Sequence, residues 1–255
     1  MCLIAWNWQP ASPTPLLLIA NRDEFYARPT APLAWWDDAG ILAGRDLQAG
    51  GTWLGVSRTG RLAALTNHRD PANVRPDAPS RGELVRGFLQ ANTSAADYLT
   101  GLAGRAADYN PFNLLVCDGQ NLMGLESRHA KVIALQPGIG AVSNADFLTP
   151  WPKLTTLKDS LQALLAQTHP SDTELLELLH HRGLAADADL PATGIPLALE
   201  RVLSSAFIVT PDYGTRACSV VRLESNSVEF LEQSFGPQGH LETRKFTLAV
   251  AGRSS

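Results

Sequence analysis

Short apolar runs fill most of the chain, broken twice by pairs of longer, helix-like stretches. Near the start, the runs Cys2–Trp8 and Leu16–Asn21 flank a turn containing Pro10, Pro13 and Pro15, a pattern that predicts an antiparallel hairpin. Further strands are expected at Ile41–Ala43, Trp53–Ser57 and Leu62–Thr66, punctuated by Gly50-Gly51, Gly55 and Gly60. Ser80-Arg81-Gly82-Glu83 then has capping-box spacing ahead of Leu84, Val85, Phe88 and Leu89, so a helix is expected there. A second helix starts at Thr93 or Ser94 and runs to about Ala103. Strand-like runs return at Phe112–Cys117, Leu122–Glu126, Val132–Leu135 and Ala141–Ser143. One helix is expected over Pro152–Gln167 and another from the capping box Ser171-Asp172-Thr173-Glu174. The last third reads as strands at Ala206–Thr210, Ala217–Leu223, Val228–Gln233 and Phe246–Val250.

The order is therefore strands, two helices, strands, two helices, strands. Helices clustered between blocks of strands argue against a Rossmann-type sheet, in which strand and helix alternate, and for antiparallel sheets covered by helix pairs. An α+β, four-layer αββα arrangement fits. Asp187–Pro196 is a loop, too short and mixed for a linker, so one domain over residues 1–255 is expected.

Composition changes the picture mainly by exclusion. With 45% apolar and 18% charged residues and a formal net charge of −4, the chain reads as an ordinary globule without the basic surface of a nucleic-acid partner. The prolines interrupt the first apolar stretch before spanning length and no basic leader precedes it, so no integral membrane segment and a cytoplasmic location are expected. Cys2, Cys117 and Cys218 form no CxxC pair, and His68, His129, His169, His180, His181 and His240 show no ligand spacing. No metal or obligatory cofactor is expected.

The candidate chemistry starts at Cys2. Processing normally removes an initiator Met before a small residue. The exposed α-amine, with a pKa of about 7.7–8.0, would then lie within reach of the thiol as its own base. On position alone Cys2 reads as a packed strand residue; its surroundings decide. A strand returning antiparallel to Cys2–Trp8 carries Asn21-Arg22-Asp23-Glu24 back toward it, and an arginine and a carboxylate there could orient the thiol and hold the α-ammonium. Because side chains alternate on a strand, Arg22 and Asp23 cannot both face Cys2 unless the strand has ended or bulged. The connection Gly44–Trp53 matches no phosphate-binding pattern, but Arg45 and Asp46 there are candidates for a pocket wall. Asn67 and Asn144, each at a strand end, could offer amide donors to a developing oxyanion. His68 is the one histidine kept as a pocket residue.

These residues, with Gly51-Thr52-Trp53-Leu54-Gly55, Thr66-Asn67-His68-Arg69-Asp70-Pro71, Ser143-Asn144 and Tyr213-Gly214-Thr215-Arg216, resemble the NRDE family. It is named for its Asn-Arg-Asp-Glu tetrapeptide and also called the transport-and-Golgi-organisation protein 2 family. The same landmarks are similar, more remotely, to the choloylglycine hydrolase and penicillin V acylase branch of the N-terminal nucleophile hydrolases. The resemblance implies Cys2 as nucleophile acting on a linear amide or thioester, Arg22 and Asp23 orienting it, and Asn67 and Asn144 binding substrate and oxyanion. It also implies Asn21, Glu24, Arg45, Asp46, Thr66, His68 and Arg216 around a small-molecule substrate. The pattern departs at Arg22 and Asp23, which are adjacent where that branch spaces arginine and acid three apart; Arg216 is the candidate for a further arginine. The NRDE family has also been linked to haem handling, lipid metabolism and Golgi organisation, so a rival expectation is a non-catalytic carrier of a lipid-like metabolite or of haem. Without CxxCH, any haem would be held reversibly by a Cys or His.

Overall fold

A computed structural model describes residues 2–167 and 169–250. Among these residues thirteen strands form two antiparallel sheets. The first sheet has the order β10 (Gly138–Val142), β1 (Cys2–Trp8), β2 (Leu16–Phe25), β11 (Tyr213–Leu223), β12 (Ser227–Gly236) and β13 (Gly239–Ala249). The second runs β3 (Thr30–Trp36), β4 (Ile41–Asp46), β5 (Leu54–Ser57), β6 (Leu62–Asn67), β7 (Phe112–Cys117), β8 (Leu122–Glu126) and β9 (Lys131–Ala134). Helices α1 (Gly82–Gln90) and α2 (Ala95–Ala103) cover the second sheet, while α3 (Pro152–Leu165) and α4 (Asp172–Leu179) cover the first.

Three apolar layers follow from strand alternation. Ile4, Trp6, Leu16 and Leu18 point between the sheets and meet Leu42, Leu54 and Leu115; Leu3, Ala5, Leu17 and Ile19 point the other way, onto Leu154, Leu157 and Leu175 of α3 and α4. A third layer joins the outer face of the second sheet to Leu84, Phe88 and Leu99 of α1 and α2. Strands buried on both faces explain why their sequences are continuous apolar runs, each Leu or Ile contributing about 1.5–3 kcal/mol. The αββα expectation is met.

Several local expectations are corrected. β2 does not stop at Asn21 but continues through Phe25, and β4 extends through Asp46. β3 was not anticipated: Pro32 disguises it, and the register slips between Ala31 and Ala34 on what is an edge strand. Ala206–Thr210 forms only the bridge Val209–Gly214, because the Ile208 N–H donates to Thr215 Oγ1. Leu197–Leu203 forms a short helix, α5, after Pro196. The capping box at Ser80 is absent: Ser80 Oγ accepts from the Gly82 N–H, and Glu83 accepts from the Tyr109 hydroxyl at 2.5 Å. The box at Ser171 is complete, with reciprocal bonds to Glu174.

Candidate active site

Cys2 opens β1 opposite Arg22, so Asp23, Glu24 and Phe25 of β2 run past the head of the neighbouring strand. On its other side β2 pairs with β11, where a register shift at Arg216 lets Thr215 face Asp23 and Ala217 face Arg22. Strand parity puts Cys2 and Arg22 on the inter-sheet side, Asn21 and Asp23 on the helix side. Arg22 and Asp23 thus sit on opposite faces of β2, yet both line one cavity with Cys2. At the end of β1 the sheet opens into a cavity of about 410 Å³ whose wall includes Cys2, Arg22, Asp23, Glu24, Asp46 and Asn67.

Each wall residue is held by its own contacts. Arg22 is buried, donates from Nη1 to Thr30 Oγ1 at 3.2 Å and stacks over Trp53 at 4.3 Å. Its Nη2 is 3.9 Å from both Glu24 and Asp46. Trp53 can occupy this place because position 44 is glycine: a Cβ there would lie 2.4 Å from the indole Cη2. Asp46 accepts Arg28 Nε at 2.7 Å and, through its other oxygen, the N–H groups of Gln48 and Ala49, which folds the glycine-rich connection over the cavity. Asp23 accepts from Thr215 Oγ1 at 2.8 Å. Burial pushes its carboxyl up from the ordinary range, and Lys153 opposes that rise. Burial also pushes the Cys2 thiol up.

The two asparagines separate in role. The Asn67 amide makes no side-chain hydrogen bond among the described residues and lies on the cavity wall. Asn144 is fully buried and off that wall; its Nδ2 donates to the Asn67 carbonyl at 2.8 Å and its Oδ1 accepts from Ser143, which also donates to the Cys2 carbonyl. Asn144 therefore positions Asn67 and β1 through backbone carbonyls.

Five expected substrate contacts lie off the cavity. Asn21 donates to the Leu179 and Ala206 carbonyls, tying β2 to the end of α4. Arg45 stacks on Trp36 at 4.5 Å, on the strand face opposite Asp46. Thr66 is fully buried and accepts from Asn113. His68 lies 3.7 Å from Asp146, close to Arg128. Arg216 staples the carbonyls of Phe25, Arg28 and Phe235. Glu24 and Asp46 are on the wall as expected.

Sequence reasoning missed the basic residues. Lys153, in the first turn of α3, is only 4% exposed, and its Nζ has no hydrogen-bond partner among the described residues. Burial lowers its pKa to about 8 against the opposing pull of Asp23, with Arg69, Cys2 and Glu200 also facing it. Its signal was a cation one helical turn before Leu157, on the apolar stripe that α3 buries. Lys153 lies off the cavity wall, whereas Arg28, Arg75 and Arg81 line it. For haem, the cavity wall carries one thiol and no imidazole, since His68 and His129 both lie beside Asp146. Among the described residues no group of three or more His, Cys, Asp or Glu is placed to hold a metal ion, and no helix is long and apolar enough to cross a membrane.

The profile of the family described as Transport and Golgi organisation 2 matches residues 1–237. The chain belongs to that family. It is 35% identical to the Transport and Golgi organization protein 2 homolog of Homo sapiens, over 98% of this chain and 99% of that one. To the Mus musculus homolog it is 33% identical, over 92% and 93%. Among solved structures, the C2A mutant of conjugated bile acid hydrolase from Clostridium perfringens superposes with a TM-score of 0.53 at 9% identity, covering 96% of this chain and 92% of that one. At that identity the likeness concerns the fold alone, which this Transport and Golgi organisation 2 family member shares with that hydrolase.

Proposed function

We propose that the chain is an N-terminal cysteine hydrolase of a small linear amide or thioester. The observation that carries the reading is the shared cavity: Cys2 at the head of β1 and Asn67, whose amide is unengaged, stand on one wall with Arg22 and Asp23. With Met1 removed, the α-amine takes the thiol proton and the sulfur attacks the carbonyl carbon. The Asn67 amide donates to the oxyanion, a contact typically worth about 100- to 1000-fold in rate. As the C–N bond breaks, the α-ammonium returns the proton to the leaving amine; water then cleaves the thioester and restores the thiol. Asp23, fixed by Thr215, orients the α-amine, and the Lys153 cation behind it favours the carboxylate form.

The test is an intact mass followed by turnover of acyl p-nitroanilides. The expected result is a chain lacking Met1 whose turnover falls at least 1000-fold in Cys2→Ala with an unchanged melting profile. A retained Met1, or full activity in Cys2→Ala, overturns the reading.

A further inference from the structure

The cavity beside Cys2 carries more positive charge than its own carboxylates balance. Arg28 is paired with Asp46, and Arg22 sits between Glu24 and Asp46. Arg75 and Arg81, on the same wall, have no carboxylate within ion-pair distance among the described residues. Arg75 spends its guanidinium on the carbonyls of Ala107 and Tyr109. Arg81 donates only Nη1, to the Pro111 carbonyl at 3.0 Å. Its Nε and Nη2 have no protein partner among the described residues, and neither is shut away from solvent.

The position of Arg81 is costly on local grounds. It is the N-cap residue of α1, where the helix dipole favours an anion and opposes a cation. It is also rigidly placed. The Pro111 bond pins one end of the guanidinium, and the backbone on which it stands is locked against the glycine-rich connection. A Cβ at Gly51 would lie 2.6 Å from the Gly82 carbonyl carbon, so the two segments touch backbone to backbone. The titratable and charged groups that face Arg81 are Cys2, Glu24 and Arg28. A fixed guanidinium edge with two unused donors, on the wall of the cavity that the thiol also lines, matches the planar two-oxygen geometry of a carboxylate or phosphate.

We propose that Arg81 forms an anion subsite of the Cys2 cavity, so that the molecule bound there carries a carboxylate or phosphate held by Nε and Nη2 of Arg81 while its carbonyl lies at Cys2. This rests on the proposed hydrolase reading for the carbonyl, but not for the anion.

Two measurements separate them. The first needs no turnover: iodoacetamide alkylation of Cys2, followed by peptide mass, in the presence of glutarate or inorganic phosphate. Cys117 and Cys218 are fully buried and serve as internal controls. Glutarate, phosphate or both are expected to slow alkylation saturably in the wild type, by at least fivefold, and which of them does so identifies the anion. Arg81→Gln is expected to abolish the protection, and Arg81→Lys, which keeps the charge without the fork, to retain part of it. Absence of protection by either anion, or equal protection in folded Arg81→Gln, overturns the subsite. The second compares p-nitroanilides of pentanoate and glutarate with the pentanoyl amide of 4-aminobenzoate. A preference of at least tenfold in kcat/KM for one carboxylated compound, lost in Arg81→Gln, supports the subsite and says on which side of the scissile bond the anion lies. Equal use of all three overturns it as a substrate subsite. Protection without turnover of any of them leaves the subsite standing and removes the hydrolase reading.

Discussion

Lys153→Met should make the protein more stable at neutral pH and less active, and the stability gain should disappear in alkali. The ammonium is buried at the foot of α3, and its pKa is lowered to about 8 from 10.5 even with Asp23 and Glu200 favouring the charge and Arg69 opposing it. That difference corresponds to roughly 3 kcal/mol of net cost for holding the charged form in the fold. Below pH 8 the lysine is protonated in both folded and unfolded chains, so the cost is fully present. Between pH 8 and 10.5 the unfolded chain binds the proton that the folded chain has released, and wild-type stability climbs relative to the variant. Above 10.5 both are neutral and this contribution is gone. Methionine has similar length, no charge, and joins Leu154 and Leu157 in the apolar layer.

The expected advantage at pH 7, roughly 3 kcal/mol, equals on the order of 6–12 °C in Tm for a domain of this size. Denaturant titrations of the pair at matched pH from 7 to 11 measure it, and titrating tyrosines and cysteines cancel in the difference. A gap that stays constant with pH would refute the reasoning, as would a variant less stable at pH 7 than at pH 11 relative to wild type. Under the proposed chemistry kcat should fall tenfold or more, because Asp23 loses the cation that opposes its burial.

Glu232→Gln tests the mirror case. This buried carboxyl is pushed up to about 7, receives the Leu33 N–H on Oε1 and leaves Oε2 without a hydrogen-bond partner. A raised acid costs stability above its folded pKa and none below its unfolded one, so the variant should gain roughly 3 kcal/mol above pH 7 and nothing near pH 4 in urea titrations. Asn144→Ala removes the donor to the Asn67 carbonyl and should cost about 1–3 kcal/mol, with a fall in kcat rather than a rise in KM if Asn67 is the oxyanion donor. Gly44→Ala drives a Cβ into Trp53 and should cost about 1–3 kcal/mol, shift the tryptophan emission and loosen Arg22; an unchanged spectrum would refute the contact between position 44 and the indole.

What the sequence discloses about this fold follows from which interactions are local. Strand alternation and the Ser171 capping box depend on neighbours along the chain, so β1, β7, β8 and α4 are readable from it. β3 is not, because Pro32 argues against a strand and only the pairing with β4 on a sheet edge overrides it. Ala206–Thr210 errs in the opposite direction: its apolar run is genuine, but the Phe207 and Ile208 N–H groups go to His181 and Thr215, more than five residues away in either direction. The site divides in the same way. A hairpin is enough to bring Arg22 opposite Cys2, and the NRDE tetrapeptide is therefore legible as chemistry. Which of its four residues look into the cavity depends on where β1 ends, and that sends Asn21 to α4 and leaves Arg22, Asp23 and Glu24 on the wall. Lys153 and Arg81 come from helices packed on opposite outer faces of the two sheets. No window of sequence places either beside Cys2, yet each breaks a local rule, a lysine on a buried stripe and an arginine at a helix start. Residues that violate local physical preference without local compensation are therefore the ones whose partners must be sought across the fold, and here both lead to the same cysteine.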